Sequence, residues 1–255
     1  NEISAKAFLT YFTAKGAFKR FGFHPEGTEG AWKRLAAGVT DRGGDVWLSS
    51  PAERIHVEDG RVTGADIRHE GALVRVSADI VICNAGPKAA VALAGEEHFP
   101  ADYVRDTREL LKPAANIVYN FASREDLMPR APGIMTFGKT RRLCNIANLT
   151  ATCPELAPEG WHQYVAYAVP VPAIGDFDSE AEVEEGMKDL RDQFPGFDDK
   201  VKMLSVRVMR DDWPAQRSGA GYDMDVATGI EGLWCVGDAV KDFGNGGTQA
   251  CAESA

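Results

Sequence analysis

The chain has 255 residues, 44% of them hydrophobic and 26% charged, and its 28 Lys and Arg against 38 Asp and Glu give a formal charge of −10. That balance excludes a surface built to neutralise nucleic-acid phosphates and gives no support to peripheral contact with anionic membranes. No apolar run reaches the ~18 residues that read as a membrane span. The five cysteines, Cys83, Cys144, Cys153, Cys235 and Cys251, stand far apart without C-x-x-C or metal-ligand spacing. They predict reduced thiols, a cytoplasmic setting and no bound metal.

The sequence opens at Asn1 without an initiator methionine and stops at Ala255 inside a helical pattern that has no stop signal. Both features predict a fragment of a longer chain. The aromatic opening, Phe8 to Phe23, suits core packing or a dimer contact better than the lining of an apolar pocket or a membrane-facing entrance. A helix follows from about Thr28, with Trp32, Leu35, Ala36 and Val39 at helical spacing and Gly43-Gly44 as its end. Asp45–Leu48 reads as a strand. Ile55–Glu58 and Arg61–Gly64 flank Asp59-Gly60, a strong short hairpin signal. Ala78–Cys83 is a continuous apolar run of the kind buried on both faces of a sheet, and it ends at Asn84-Ala85-Gly86-Pro87 before a short Ala-rich helix to Ala94.

From Glu96 to Ile230 the texture changes. Strands are predicted at Ala115–Phe121, Leu143–Leu149, Gln163–Val169 and Lys202–Val208, separated by loops containing Pro. One helix is well specified: Ser179 and Glu182 form a capping box, Val183, Met187, Leu190 and Phe194 its apolar stripe, and Pro195 its stop. Gly232–Asp238 is again a buried strand, followed by a Gly-rich loop and a terminal helix. The predicted fold is α/β, an incomplete FAD/NAD(P)-binding-type domain interrupted by an α+β domain with a mixed or antiparallel sheet. Its divisions are residues 1–23 and 96–229 for the substrate domain, and 24–95 and 230–255 for the cofactor domain.

Two strand ends carry the candidate chemistry. Gly237-Asp238 closes one strand, and Gly246-Gly247-Thr248 opens the last helix. Glycines admit a ligand close to the backbone, a helix N-terminus presents N–H groups to phosphate, and a strand-end carboxylate accepts sugar hydroxyls. Asn84 and Gly86 end the other strand, and in open α/β sheets such ends share one crevice. Plain turns explain both segments equally well. No G-x-G-x-x-G follows a strand, since Gly244–Gln249 has Gln where the third Gly belongs. The five histidines, His24, His56, His69, His98 and His162, are isolated and read as surface or packing residues. The acidic run Asp176–Glu185 reads as a solvated loop and helix start. Asp211-Asp212-Trp213 reads as loop.

In order, Gly43-Gly44, Ser50–Ile55, Asp59–Gly64, Ala78–Pro87, Gly232–Asp238 and Gly246–Ala250 resemble the later half of a phytoene desaturase-like, amine-oxidase-type FAD-dependent oxidoreductase. The resemblance spans most of the chain, with little specific to it in the middle section. It implies that an N-terminal dinucleotide-binding unit is missing, and that Ala52 contacts the adenine. It further implies that Asn84 and Gly86 lie near the cofactor, that Gly237 is among the cofactor-binding residues, and that Asp238 binds the linker between flavin and ADP. Gly246, Gly247 and Thr248 would meet pyrophosphate or flavin through backbone N–H groups. The implied reaction is hydride abstraction from a small or apolar organic substrate to flavin N5, with the substrate domain's sheet over the flavin. No catalytic base is named: Tyr119, Arg142 and Tyr167 are equally good core residues. Two alternatives stay open, a flavin-free binder resembling the GDP-dissociation inhibitors and one subunit of a split flavoenzyme.

Overall fold

The computed structural model describes residues 5–10, 13, 22–130, 133–211, 222–241 and 247–255. In chain order the elements are α1 (Ala5–Leu9), α2 (Gly27–Thr40), β1 (Ala52–Glu58), β2 (Arg61–His69), β3 (Ala72–Ser77), β4 (Val81–Cys83), α3 (Pro87–Ala94), α4 (Ala101–Glu109) and β5 (Asn116–Ser123). They continue as β6 (Ile134–Thr136), β7 (Leu143–Asn148), β8 (His162–Ala168), α5 (Ser179–Gln193), α6 (Phe197–Lys200), β9 (Val201–Met209), β10 (Leu233–Cys235) and α7 (Gly247–Ser254). They form two compact units, one from Asn1–Phe18, Trp47–Ala114 and Asp212–Ala255, the other from Lys19–Val46 and Ala115–Asp211. Among the described residues no helix is long and apolar enough to cross a membrane.

In the first unit, β1, β2 and β3 form an antiparallel meander. The predicted hairpin forms: Asp59 and Gly60 both take positive φ, 51° and 77°, the type I′ geometry that matches strand twist. A second such loop, Glu70-Gly71, joins β2 to β3 with φ of 50° and 82°. It escapes the sequence reading because Glu is a poor left-handed residue. The core gathers Ile55 and Val62 from the meander, Ala90, Val91 and Ala94 from α3, Phe99, Tyr103 and Val104 around α4, and Leu233 and Cys235 from β10. Leu111, Met224 and Ile230 join the same core. Their burial there is why 96–114 and 222–230 cluster with the first unit, on the other side of the predicted divisions at 95/96 and 229/230.

Two expectations are corrected. Asp45–Leu48 is not a strand. Trp47 stacks on His69 with ring centroids 4.3 Å apart, Leu48 is 82% exposed, and Ser49 follows with a φ of 53° that breaks an extended run. Ala78–Cys83 yields only the short strand β4, buried on one face: Cys83 is inside, whereas Ile80 and Ile82 are 64% and 59% exposed.

The second unit holds a five-stranded antiparallel sheet in the order β6-β7-β8-β5-β9. All four strands predicted in this region are present, and β6 is an addition. Its inner face carries Ile117, Tyr119, Phe121, Leu143, Ile146 and Tyr164 against Leu190 of α5, Phe194 and Phe197. Gly186 lets α5 approach: a Cβ there would lie 2.2 Å from the Tyr119 hydroxyl, which donates to the Val183 carbonyl at 2.9 Å. α5 is capped by Asp178, not by the predicted Ser179–Glu182 box; the Asp178 carboxylate accepts from the amides of Glu180 and Ala181 at 3.0 and 3.1 Å. Glu182 turns instead to the Arg142 guanidinium and the Val171 amide. Asp189, wholly buried, accepts from the amides of Arg141, Arg142 and Leu143 at 2.9, 2.6 and 2.9 Å and from the Arg141 guanidinium at 3.0 Å. Tyr119 and Arg142 thus have structural work to do.

α2 forms over the predicted residues and ends in a Schellman motif, with Gly44 and Gly43 amides returning to the carbonyls of Val39 and Thr40. Its apolar stripe is not buried: Trp32 and Leu35 are exposed. Tyr11, Phe12, Phe18 and Phe21 of the aromatic opening, Asp212 and Trp213, and the loop residues Gly244–Gly246 lie outside the described residues.

Candidate cofactor site at two strand ends

β4 and β10 run parallel, with Leu233 opposite Val81, Trp234 opposite Ile82 and Cys235 opposite Cys83. Both strands therefore stop at the same level, which places Asn84-Ala85-Gly86 beside Val236-Gly237-Asp238. The ladder continues one step further: the Val236 amide donates to the Cys83 carbonyl at 3.0 Å, and the Asn84 side-chain amide donates to the Val236 carbonyl at 3.3 Å. The expected juxtaposition of Asn84 and Gly237 is present.

Backbone conformation fixes the residue types here. Gly86, at φ 96° and ψ 163°, occupies a region open essentially to glycine alone, and from it the chain turns into α3 with Pro87 at the first helical position. Gly237 has φ 117°, and a Cβ on it would lie 3.1 Å from Asn84 Nδ2. The two strand ends can lie this close because one of them has no side chain. Asp238 starts a turn closed by the Val240 amide on the Gly237 carbonyl.

Asp238 is tied to a lysine that sequence reasoning passed over. Buried Lys241 sets its ammonium 2.9 Å from Asp223 and 3.6 Å from the Asp238 carboxylate. The only sequence signal was a Lys three residues after the strand-end Asp. Behind the strand ends sit two thiols and a phenol. Tyr103 donates to Cys235 Sγ at 3.5 Å, and burial raises the Tyr103 pKa. The Cys235 thiol is also held above its ordinary range, by its hydrogen bond with Cys83 and by burial. Tyr103 and Cys235 are therefore protonated at physiological pH, whereas the hydrogen bond from Cys235 lowers the Cys83 thiol below its ordinary range.

The other predicted site residues are placed differently. Ala52 is exposed at the start of β1, opposite Ile67, and β1 packs against α3. Gly247 and Thr248 begin α7, but the opposite end of that helix meets the strand ends: the Gly237 amide donates to Ser254 Oγ at 2.9 Å. Along the helix axis Gly247 lies about 10 Å from Ser254. Gly246 is outside the described residues.

No family model matches the chain. A 138-residue stretch, 54% of the chain, is 28% identical to an uncharacterised protein of Methanocaldococcus jannaschii and corresponds to 33% of that protein. Over 54 residues, 21% of the chain and 14% of the relative, identity to the digeranylgeranylglycerophospholipid reductase of Thermoplasma volcanium is 50%. The crystal structure of an oxidoreductase from Methanosarcina mazei matches with a TM-score of 0.77 and 27% identity, covering 90% of this chain and 53% of that one. A myxobacterial chondrochloren halogenase, described as a variant of FAD-dependent halogenases, matches with a TM-score of 0.53 at 13% identity over 87% of this chain and 46% of its own. The chain thus spans about half the length of these solved structures, and its matches span a third or less of the curated relatives. Its fold is that of FAD-binding oxidoreductases.

The strand-end geometry fits such a cofactor on its own terms. Gly237 carries no side chain where it closes against Asn84, and Asp238, 3.6 Å from the Lys241 ammonium, carries a carboxylate of the kind that accepts sugar hydroxyls.

Proposed function

We propose that this chain is the cofactor-completing and substrate-binding part of an FAD-dependent oxidoreductase that abstracts hydride from a small or apolar organic substrate. The observation that carries this reading is the pair of level strand ends, where Gly237 closes against Asn84 and Gly86 turns the chain into α3. The cofactor, when bound, supplies the two-electron acceptor. This chain's own residues do the rest: glycine backbone at 86 and 237 admits the cofactor, and Asp238 accepts its sugar hydroxyls while Lys241 fixes the carboxylate. The sheet of the second unit offers the substrate surface. An apolar substrate is supported by the relative named for a digeranylgeranyl lipid, and the order of motifs supports the desaturase and amine-oxidase type.

The test is to isolate the native gene product carrying this sequence and record its visible spectrum, then repeat with Gly237→Val. Flavin absorbance that co-purifies with the polypeptide, bleaches on anaerobic addition of an oxidisable substrate and is lost in the variant is the expected result. A colourless product that takes up no added FAD would refute the proposal, and flavin carried by a separate co-purifying chain would reassign the role to a split enzyme.

A further inference from the structure

The second unit carries, by itself, a pocket of about 350 Å³. Leu156, Pro158 and Trp161 line it together with Ala122 of β5 and Leu204 of β9. The sequence pattern does not announce Leu204, because it is presented by a bulge. The β5–β9 register changes between Asn120 opposite Ser205 and Phe121 opposite Met203, which leaves Leu204 as the extra residue on the pocket's side, half exposed. The volume lies at the lower end of the ~300–1,000 Å³ typical of small-molecule sites.

Two cations stand at this apolar mouth. Lys202 lines it, and the Arg124 guanidinium lies 4.8 Å from the ring centroid of Trp161. Neither forms an ion pair with any described residue. Their neighbour Lys200, by contrast, is neutralised by Glu125 at 2.9 Å. In a chain of net charge −10, two cations without an ion-pair partner among the described residues thus stand beside an apolar pocket. Glu125, adjacent to Arg124, favours a singly charged anion over a dianion such as a phosphate monoester.

We propose that this pocket binds a single-chain amphiphile ending in a carboxylate. Its hydrocarbon chain lies against Leu156, Pro158, Trp161 and Leu204, and its carboxylate meets Lys202 and Arg124. All eight residues that line the pocket belong to the second unit.

Calorimetric titration of the 255-residue chain with sodium decanoate, decyl phosphate and decanol, each below its aggregation threshold, tests it. Decanoate is expected to saturate one site. Lys202→Ala, on an exposed side chain, is expected to weaken decanoate about tenfold and leave decanol unchanged. Ala122→Trp, which fills the pocket, is expected to abolish both; Leu204→Ser replaces it if that variant does not fold. The proposal is overturned by absence of saturable decanoate binding, by equal decanoate affinity in wild type and Lys202→Ala, or by tighter binding of decyl phosphate than of decanoate.

Discussion

Asp189 anchors the turn from Thr140 into β7 without any neutral group that could replace it. Its carboxylate takes three consecutive backbone N–H groups and the Arg141 guanidinium, so Asp189→Ala leaves four donors around an empty buried space. A single unsatisfied buried donor costs about 1–3 kcal/mol. Arg141 is partly exposed and can turn to water, and some water can follow it inward, so the expected total is about 3–5 kcal/mol. That is a large share of the ~5–15 kcal/mol that holds a typical domain folded. Asp189→Asn keeps the shape but turns an amide toward the same donors, and is expected to cost nearly as much.

Urea unfolding followed by far-ultraviolet circular dichroism gives both values. Loss of less than about 1 kcal/mol in both variants would refute the account. The pH dependence supplies a second check. Burial works to raise the Asp189 pKa, but the amide bonds from Leu143, Arg141 and Arg142 and the Arg141 guanidinium outweigh it and leave the value below 3.8. A folded pKa below the unfolded one contributes stability that is complete above the unfolded value and is lost as pH falls through the folded value. The difference between wild type and Asp189→Ala should therefore be constant near neutrality and narrow only below about pH 4.

Gly186→Ala should destabilise by about 2 kcal/mol or more, because the new methyl group collides with the buried Tyr119 hydroxyl; pairing it with Tyr119→Phe should recover part of the loss in thermal melts. Gly237→Ala should cost about 1–3 kcal/mol through its φ of 117° and its crowding of Asn84, read as faster hydrogen exchange at Val236. Gly60→Ala, forced to φ 77° in a type I′ loop, should cost about 1 kcal/mol and lower the unfolding midpoint without altering the circular dichroism spectrum.

The hairpin at Asp59-Gly60 and the four middle strands were legible because their signals are local: turn chemistry in one case, short apolar runs between prolines in the other. Where the reading failed, the deciding group was distant or competing. Asp178 captured the cap of α5 because Glu182 had a better partner in Arg142, 40 residues away in sequence. Asp45–Leu48 had the composition of a strand but not the neighbour that a strand needs. Ala78–Cys83 looked buried on both faces, yet only the Cys83 side of β4 faces the core, because alternation is invisible along the apolar residues Ile80–Cys83. At the candidate site, Asn84, Gly86 and Gly237 were legible from their positions at strand ends. The Lys241–Asp223 pair was not, since nothing in the spacing of an Asp 18 residues upstream of a Lys marks contact.

The pairing of β4 with β10 also sets an order of events during synthesis. Val81–Cys83 must wait for Leu233–Cys235, some 150 residues later in the chain, before the two strands can close. The five strands of the second unit all lie between Asn116 and Met209, and α5 sits among them. A ribosome releasing this polypeptide from its N-terminus therefore exposes a complete antiparallel sheet while Cys83, Asn84 and Gly86 are still unpartnered. The cradle made by the strand ends assembles after that sheet, and its loop-closure cost falls due once the inserted unit can hold the intervening chain compact.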